Sequence, residues 1–514
     1  MGGGGAEIMY INERNFYKDS IKTAFLLVLL LAGLRFSHGW LAIGIVLTGL
    51  MASMQNKRGL ALAIYLLLPF FVVFNSLIVP LTGVTVKTAR FGGVAMILAM
   101  MFSASGARGN EKLPLGSIAL FFMSAVISSM AGYFPKISYM KMVNCVVFLC
   151  GLYFGSRNIH HHPEDVYLLR RVFFAFALIV FFGSLATLAT PAIAYSTGLK
   201  YALAEGGLEE ADYVVRNTTG MKLFTGVVNH SQLLAPLSGC LAGWILCDML
   251  VVERRLAKLH LLILFVAPVM LYMTRSRAGL LSFAVMVFMV VFYCLPHIHL
   301  DRRVSGKLKS MIFFGVVLLM IGAGVAEART GAMSRWLRKN DDTAADARSL
   351  SEAVTASRQG GIEESMSDFK KNPMFGMGFQ VSRNHPALYK MGWITIWSAP
   401  LERGFIGTAI LGECGICGLI CFIIFLLTFW VQCAKRRYFA TFSLFVVFLS
   451  TNMAEMTFFS PGGGGGIEWL VTVVGGFVID LAAKNKVKLA TEQQLAVMRL
   501  QMECEENFGL NKEN

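Results

Sequence analysis

The sequence predicts an all-α polytopic membrane protein of about fourteen transmembrane helices, with one large, partly helical loop on the outer side. Three observations carry this. First, 56% of the 514 residues are hydrophobic and only 15% are charged, against about 25% charged in an average soluble domain. A soluble interior could not hide that much apolar side chain. Second, the apolar residues come in continuous runs, whereas a membrane β-barrel shows alternating stretches of about ten residues. In lipid only helices and closed barrels satisfy every backbone polar group, so continuous runs mean helices. Third, Lys and Arg recur in every second connection between runs.

Crossing a hydrocarbon core of ~30 Å takes about 20 apolar residues. Fourteen stretches qualify, at 22–36, 39–54, 59–80, 90–106, 113–134, 138–156, 169–195, 226–251, 257–273, 278–297, 308–327, 405–432, 437–454 and 465–483, the first, second and fourth being short. Short cytoplasmic loops are enriched in Lys and Arg. With the N-terminus in the cytoplasm, the inside loops hold Lys57 and Arg58; Arg108 and Lys112; Arg157, Arg170 and Arg171; Arg254, Arg255 and Lys258; Arg302, Arg303, Lys307 and Lys309; and Lys435, Arg436 and Arg437. The tail adds Lys484, Lys486 and Lys488. The phase is unbroken and places both termini in the cytoplasm. The net charge of +15 is thereby explained by topology and does not point to nucleic acid.

The chain divides into membrane helices one to eleven (1–327), a large outer loop (328–404), helices twelve to fourteen (405–483) and a cytoplasmic tail (484–514). A loop as long as 328–404 is usually functional or disordered. Here it holds a helix signal from Ser349 to Lys371, then turn signals at Asn372-Pro373, Gly376 and Gly378, so a small folded cap is expected. A second outer segment, 196–225, carries Glu205, Glu209, Glu210, Asp212, Arg216 and Lys222. Gly462–Gly466 reads as a flexible loop tip, and 490–504 as a helix in the tail. The ten cysteines avoid the outer loops, so no disulfide is expected. The Cys414, Cys417 and Cys421 trio reads as helix packing, and His160–His162 has no other soft ligand nearby, so neither a metal nor a cofactor is expected. No strong internal repeat is visible, which counts against a secondary transporter.

Chemistry is sought at the outer surface, where three stretches stand out. Asn229, His230 and Gln232 sit at the outer start of an apolar run, either capping the helix or meeting a substrate. Arg275, Ser276 and Arg277 lie in a very short outer connection, against the general charge bias. They are either snorkelling anchors or a phosphate clamp, since guanidinium grips phosphate through paired hydrogen bonds. The third stretch holds Arg358, the Asn372–Gly378 turn, Glu402-Arg403-Gly404 and Glu413. A carboxylate inside an apolar helix, as at Glu413, is costly and is usually functional or paired.

In their order these motifs resemble the O-antigen ligase and O-antigen/exopolysaccharide polymerase superfamily. The likeness rests on Gly226–Gln232, Ser276-Arg277-Ala278, Arg358, Asn372–Gly378 and Glu413–Gly418, and spans about residues 216–418. It implies a GT-C-like membrane glycosyltransferase in the bacterial inner membrane, working on the periplasmic face without a metal. The donor would be a glycan on undecaprenyl diphosphate and the acceptor a second glycan, with membrane lipids and chain-length or export proteins as partners. Catalytic roles would fall to Arg277, Glu402, Arg216 and Arg358; Arg275, Ser276, Asn229, His230, Gln232, Arg403 and Glu413 would bind the diphosphate or substrate. Ligases of the group carry a His-Asn pair near the place of Glu402-Arg403-Gly404, and no histidine stands there. That favours a polymerase over a ligase. Glu402 takes the proton-accepting role by position, unless it is ion-paired with Arg403; His230 is the next candidate. A lipid-glycan transporter and a non-catalytic assembly partner are the competing classes.

Overall fold

The computed structural model describes residues 15–37, 39–75, 78, 83–103, 111–157, 159, 162–195, 224–228, 231–274, 276–294, 350–382, 405–453, 456–461 and 464–509. Among the described residues the chain is helical throughout, apart from turns and an isolated bridge between Phe74 and Val228. The helices are α1 (Phe16–Phe36), α2 (Trp40–Met54), α3 (Arg58–Val73), α4 (Gly83–Ser103), α5 (Ile118–Ala131), α6 (Pro135–Ser156) and α7 (Pro163–Leu178). Then come α8 (Ser231–Cys247), α9 (Lys258–Thr274), α10 (Arg277–Met289), α11 (Leu350–Lys371), α12 (Ile406–Arg436) and α13 (Phe439–Thr451). The last helix, α14, runs through Gly464–Trp469, a π-turn at Leu470–Val474, and Gly475–Gly509.

Thirteen of the fourteen apolar stretches carry a helix; the stretch 308–327 lies outside the described residues. Among the described residues, five helices are long and apolar enough to cross a membrane: Pro135–Ser156, Pro163–Ala189, Leu233–Glu253, Ile406–Arg436 and Gly464–Lys488. The expectation of fourteen crossings rests on composition and charge phase. The protein is an all-α membrane protein. The helix from Ser349 to Lys371 expected in the large loop is α11.

Lipid tails are as apolar as Leu, so helices in a membrane associate by close packing at small residues. A Cβ on Gly92 would reach Val46, and one on Gly151 would reach Ile97, so α4 lies tight against α2 and α6. Phe25 and Leu26 on α1, Phe102 on α4, and Phe265 and Tyr272 on α9 stay exposed, as lipid-facing residues should. The apolar window of α8 is 100% buried and that of α14 is 94% buried, against 33% for α12, which puts α8 and α14 at the centre of the bundle.

Two expectations need correction. Gly464–Gly466 is the first turn of α14 and not a loose tip; Gly465 and Gly466 are buried where any side chain would strike the carbonyls of Thr457 and Pro461. The tail helix expected over 490–504 is present as part of α14, which continues to Gly509. Arg170, read as a loop charge, lies inside α7 with its side chain 3% exposed. It is held by carboxylates there. Its Nε donates to Asp248 Oδ1 at 2.6 Å, and its Nη2 donates to Asp248 Oδ2 at 3.0 Å and Glu253 Oε1 at 2.5 Å. Asp248–Glu253 is a π-turn at the end of α8. On an α-helix, residues five apart point about 140° away from each other; the wider turn brings both carboxylates onto one guanidinium. His260 Nε2 meets Asp248 Oδ2 at 3.0 Å, and Tyr17 Oη meets His260 Nδ1 at 3.3 Å, so α1, α7, α8 and α9 share one buried network.

Candidate active site

The first two motifs come together because α8 and α10 lie parallel. A Cβ on Gly279 would meet Ala235 Cβ at 2.8 Å, and one on Gly239 would strike the Ser282 hydroxyl. Both contacts step the same way along the two helices, so their N-termini stand side by side. Ser276 caps α10: it is buried, has extended backbone, and its hydroxyl accepts from Gly279 N at 3.4 Å. Arg277 is the first residue of α10. The positive end of each helix dipole falls in its first turn, so two such ends adjoin here.

The segment leading to α8 is pinned from both sides. Asn75 N donates to Val227 O at 2.8 Å, Thr225 N to Ala194 O at 2.8 Å, and Val227 N to Ser184 Oγ at 3.2 Å. On the far side of α8, a Cβ on Gly464 would run into the Leu233 side chain, so the start of α14 joins the same end.

The other two motifs interlock. Gly415 sits inside α12 with φ 65° and ψ −165°, a backbone that L side chains rarely adopt. A helix broken there leaves the carbonyls before it and the amides after it without their usual partners. The Asn372–Gly378 turn supplies replacements. Ile416 N donates to Pro373 O at 2.8 Å and Cys417 N to Met374 O at 3.2 Å. In return, Met377 N donates to Gly412 O at 2.9 Å and Gly378 N to Glu413 O at 3.0 Å. The fit excludes side chains: a Cβ on Gly376 (φ 71°) would lie 2.6 Å from Cys414 N, and one on Gly415 would lie 2.6 Å from Phe375 N.

This decides what the Gly376-Met-Gly378 turn is. Gly376 N goes to Asn372 O at 2.8 Å, and Gln380 N to the Glu413 carboxylate at 2.9 Å. The amides that a phosphate loop would offer to its ligand are spent on α12 and on the turn itself. Glu413, 1% exposed, thus turns its Oε2 to the turn's own backbone.

Helices α5 and α6 complete the seat. Ser128 Oγ donates to Glu413 O, Ser138 Oγ to Phe379 O at 2.9 Å, and Lys141 Nζ to Gln380 O at 3.1 Å. Tyr133 N donates to Met377 O at 3.1 Å. The turn also reaches the 456–461 connection, where Gln380 Nε2 donates to Phe459 O at 2.7 Å. Phe121 stacks on Phe459 at 5.0 Å, with Phe379 edge-on to both at 6.1 and 5.2 Å. Each such aromatic pair adds about 1 kcal/mol beyond the area it buries.

Among the predicted residues, Ser276 and Glu413 are placed as described. Arg277, Arg358 and Gln232 stand on α10, α11 and the first turn of α8. Arg216, Arg275, Asn229, His230, Glu402 and Arg403 lie outside the described residues. The sequence reading missed Ser128, Ser138, Lys141 and Gln380. Only Lys141 left a signal, a charge inside the apolar stretch 138–156. Among the described residues, no group of three or more His, Cys, Asp or Glu side chains is placed to hold a metal ion.

A search of the curated proteins finds no match to this chain. The family model described as O-Antigen ligase matches residues 259–423, which run from the start of α9 through the broken part of α12.

Proposed function

We propose that this membrane protein, whose residues 259–423 carry the domain of the O-antigen ligase and polymerase superfamily, is a polysaccharide polymerase. It joins undecaprenyl-diphosphate-linked repeat units on the periplasmic face of the bacterial inner membrane, with both termini in the cytoplasm. A hydroxyl of the acceptor glycan attacks the anomeric carbon of the donor. The bond from that carbon to the diphosphate oxygen breaks, and undecaprenyl diphosphate leaves. The observation that carries this reading is the pairing of the Ser276-Arg277 start of α10 with the start of α8. Charge that develops on the leaving diphosphate is best met by donors fixed beforehand in a low-dielectric site. Two adjoining helix N-termini and an arginine provide such donors. In this reading Arg275, Arg216, Arg358 and Arg403 add charge, and Asn229, His230 and Gln232 contact the substrate. Glu402 accepts the proton of the attacking hydroxyl.

Arg277→Lys keeps the charge and loses the planar fork. Loss on the order of a hundredfold in polymer formation is expected, with the protein still inserted and monodisperse. Normal polymer from Arg277→Lys would remove the diphosphate role. Transfer to a lipid A core is the second reading, favoured by the description of the matched family. Adding core acceptor to the same assay separates the two.

A further inference from the structure

We infer that Glu413 and Lys141 are positioning residues, which hold the 376–382 segment on α12 and α6 and thereby hold α11, with Arg358, to the membrane helices. The activity arm of this inference rests on the polymerase reading; the structural arm does not.

The last residue of α11, Lys371, leads straight into the turn. α11 packs along α12, and its end also meets the connection between α5 and α6: Tyr133 Oη donates to Asp368 Oδ1 at 3.2 Å, and Lys371 Nζ to Tyr133 Oη at 3.0 Å. Lys371 is 45% exposed, so that contact is weak. Beyond the 373–378 interlock with α12 lies a second, buried grip. Gln380 has a positive φ of 53°, which brings its N–H to Glu413 Oε2 at 2.9 Å and its carbonyl to Lys141 Nζ at 3.1 Å. One peptide neighbourhood is thus gripped by two buried side chains of opposite charge, from two different helices. Ser382 Oγ donates back to Glu364 on α11, closing the segment against the helix it follows. Arg358 lies thirteen residues before Lys371 on α11, about 20 Å along the axis. Its place relative to Arg277 follows from how firmly the end of α11 is held.

A positioning carboxylate needs to accept a hydrogen bond; a catalytic one needs to take a proton. Glu413→Met removes the acceptor at similar bulk. Glu413→Gln keeps an amide oxygen for Gln380 N–H. Lys141→Met and Lys141→Arg are the matching pair on α6. The full chain in liposomes is given undecaprenyl-diphosphate-linked repeat units, and polymer is followed against donor concentration. In parallel, trypsin cleavage after Lys371 is timed without substrate.

Glu413→Met and Lys141→Met should speed that cleavage and lower kcat, each on the order of tenfold, the weight of a hydrogen bond to a charged group. KM should stay within about twofold. Glu413→Gln and Lys141→Arg should stay near wild type in both. Unchanged cleavage in Glu413→Met overturns the inference. So does Glu413→Gln as inactive as Glu413→Met with normal cleavage, which makes the carboxylate a proton acceptor. A raised KM alone makes it a substrate ligand and also overturns it. Should Glu413→Met fail to insert, Lys141→Met gives the same reading. Should even the wild type make no polymer, the polymerase reading fails and the cleavage rates still decide the anchor.

Discussion

Around Gly415 the chain breaks a helix and fills the gap with backbone from another segment. Around Arg170 it leaves four helices whole and ties them with charged side chains. The first junction uses two amides and two carbonyls of α12, each meeting a counterpart from 373–378. Its residues are chosen for having no side chain where the strands of backbone touch. The second uses a guanidinium, two carboxylates, an imidazole and a half-buried phenol. Its residues are chosen for charge, and their backbone could belong to many others. A backbone junction fixes position closely and tolerates no added atom. A charge network tolerates small shifts but not the loss of a partner, since a buried charge left alone is costly. The backbone junction lies at the end of α11, the helix that carries the proposed site residue Arg358.

The comparison can be broken from either side. The largest effect should come from Gly415→Ala or Gly376→Ala. Each adds a Cβ against backbone that has nowhere to go, at a positive φ. More than about 3 kcal/mol is expected, seen as loss of inserted, monodisperse protein. An alanine variant that melts like wild type contradicts the described interlock. Next, Arg170→Met leaves Asp248 to His260 and Glu253 to the exposed Arg255, and should cost about 3 kcal/mol, read as a lowered midpoint in detergent. Polymer per folded molecule should stay the same, because this network lies apart from the starts of α8 and α10; a specific loss of activity would link the two ends. The smallest effect belongs to Tyr133→Phe at the rim. It should cost no more than about 1 kcal/mol, and a larger drop would make Tyr133 a main anchor of α11.

The two regions also differ in how far the sequence showed them. Apolar runs gave the helices, since length and composition suffice when every backbone group must bond within its own segment. Gly376, Gly378, Glu413 and Gly415 stood out because glycines and a carboxylate are conspicuous in an apolar setting. Their role was hidden: nothing in the order of residues says that Pro373 O receives Ile416 N. The same blindness turned Gly464–Gly466 into a loop tip, where tight packing against Thr457 and Pro461 is what excludes side chains. Tyr17, Arg170, Asp248, Glu253 and His260 come from four helices, and the π-turn that aligns the two carboxylates depends on packing, so Arg170 looked like one more basic loop residue. Of the motifs nearest the proposed chemistry, the sequence named Ser276 and Arg277, and α10 begins at that pair.

The central claim is that this chain itself joins glycans. The most direct measurement uses purified full-length protein, reconstituted in liposomes, with undecaprenyl-diphosphate-linked repeat units as the sole glycan. The account predicts a ladder of longer glycans, release of undecaprenyl diphosphate in step with each added unit, and loss of both in Arg277→Lys. Units that cross the bilayer unchanged, with no ladder and no released lipid diphosphate, would contradict it.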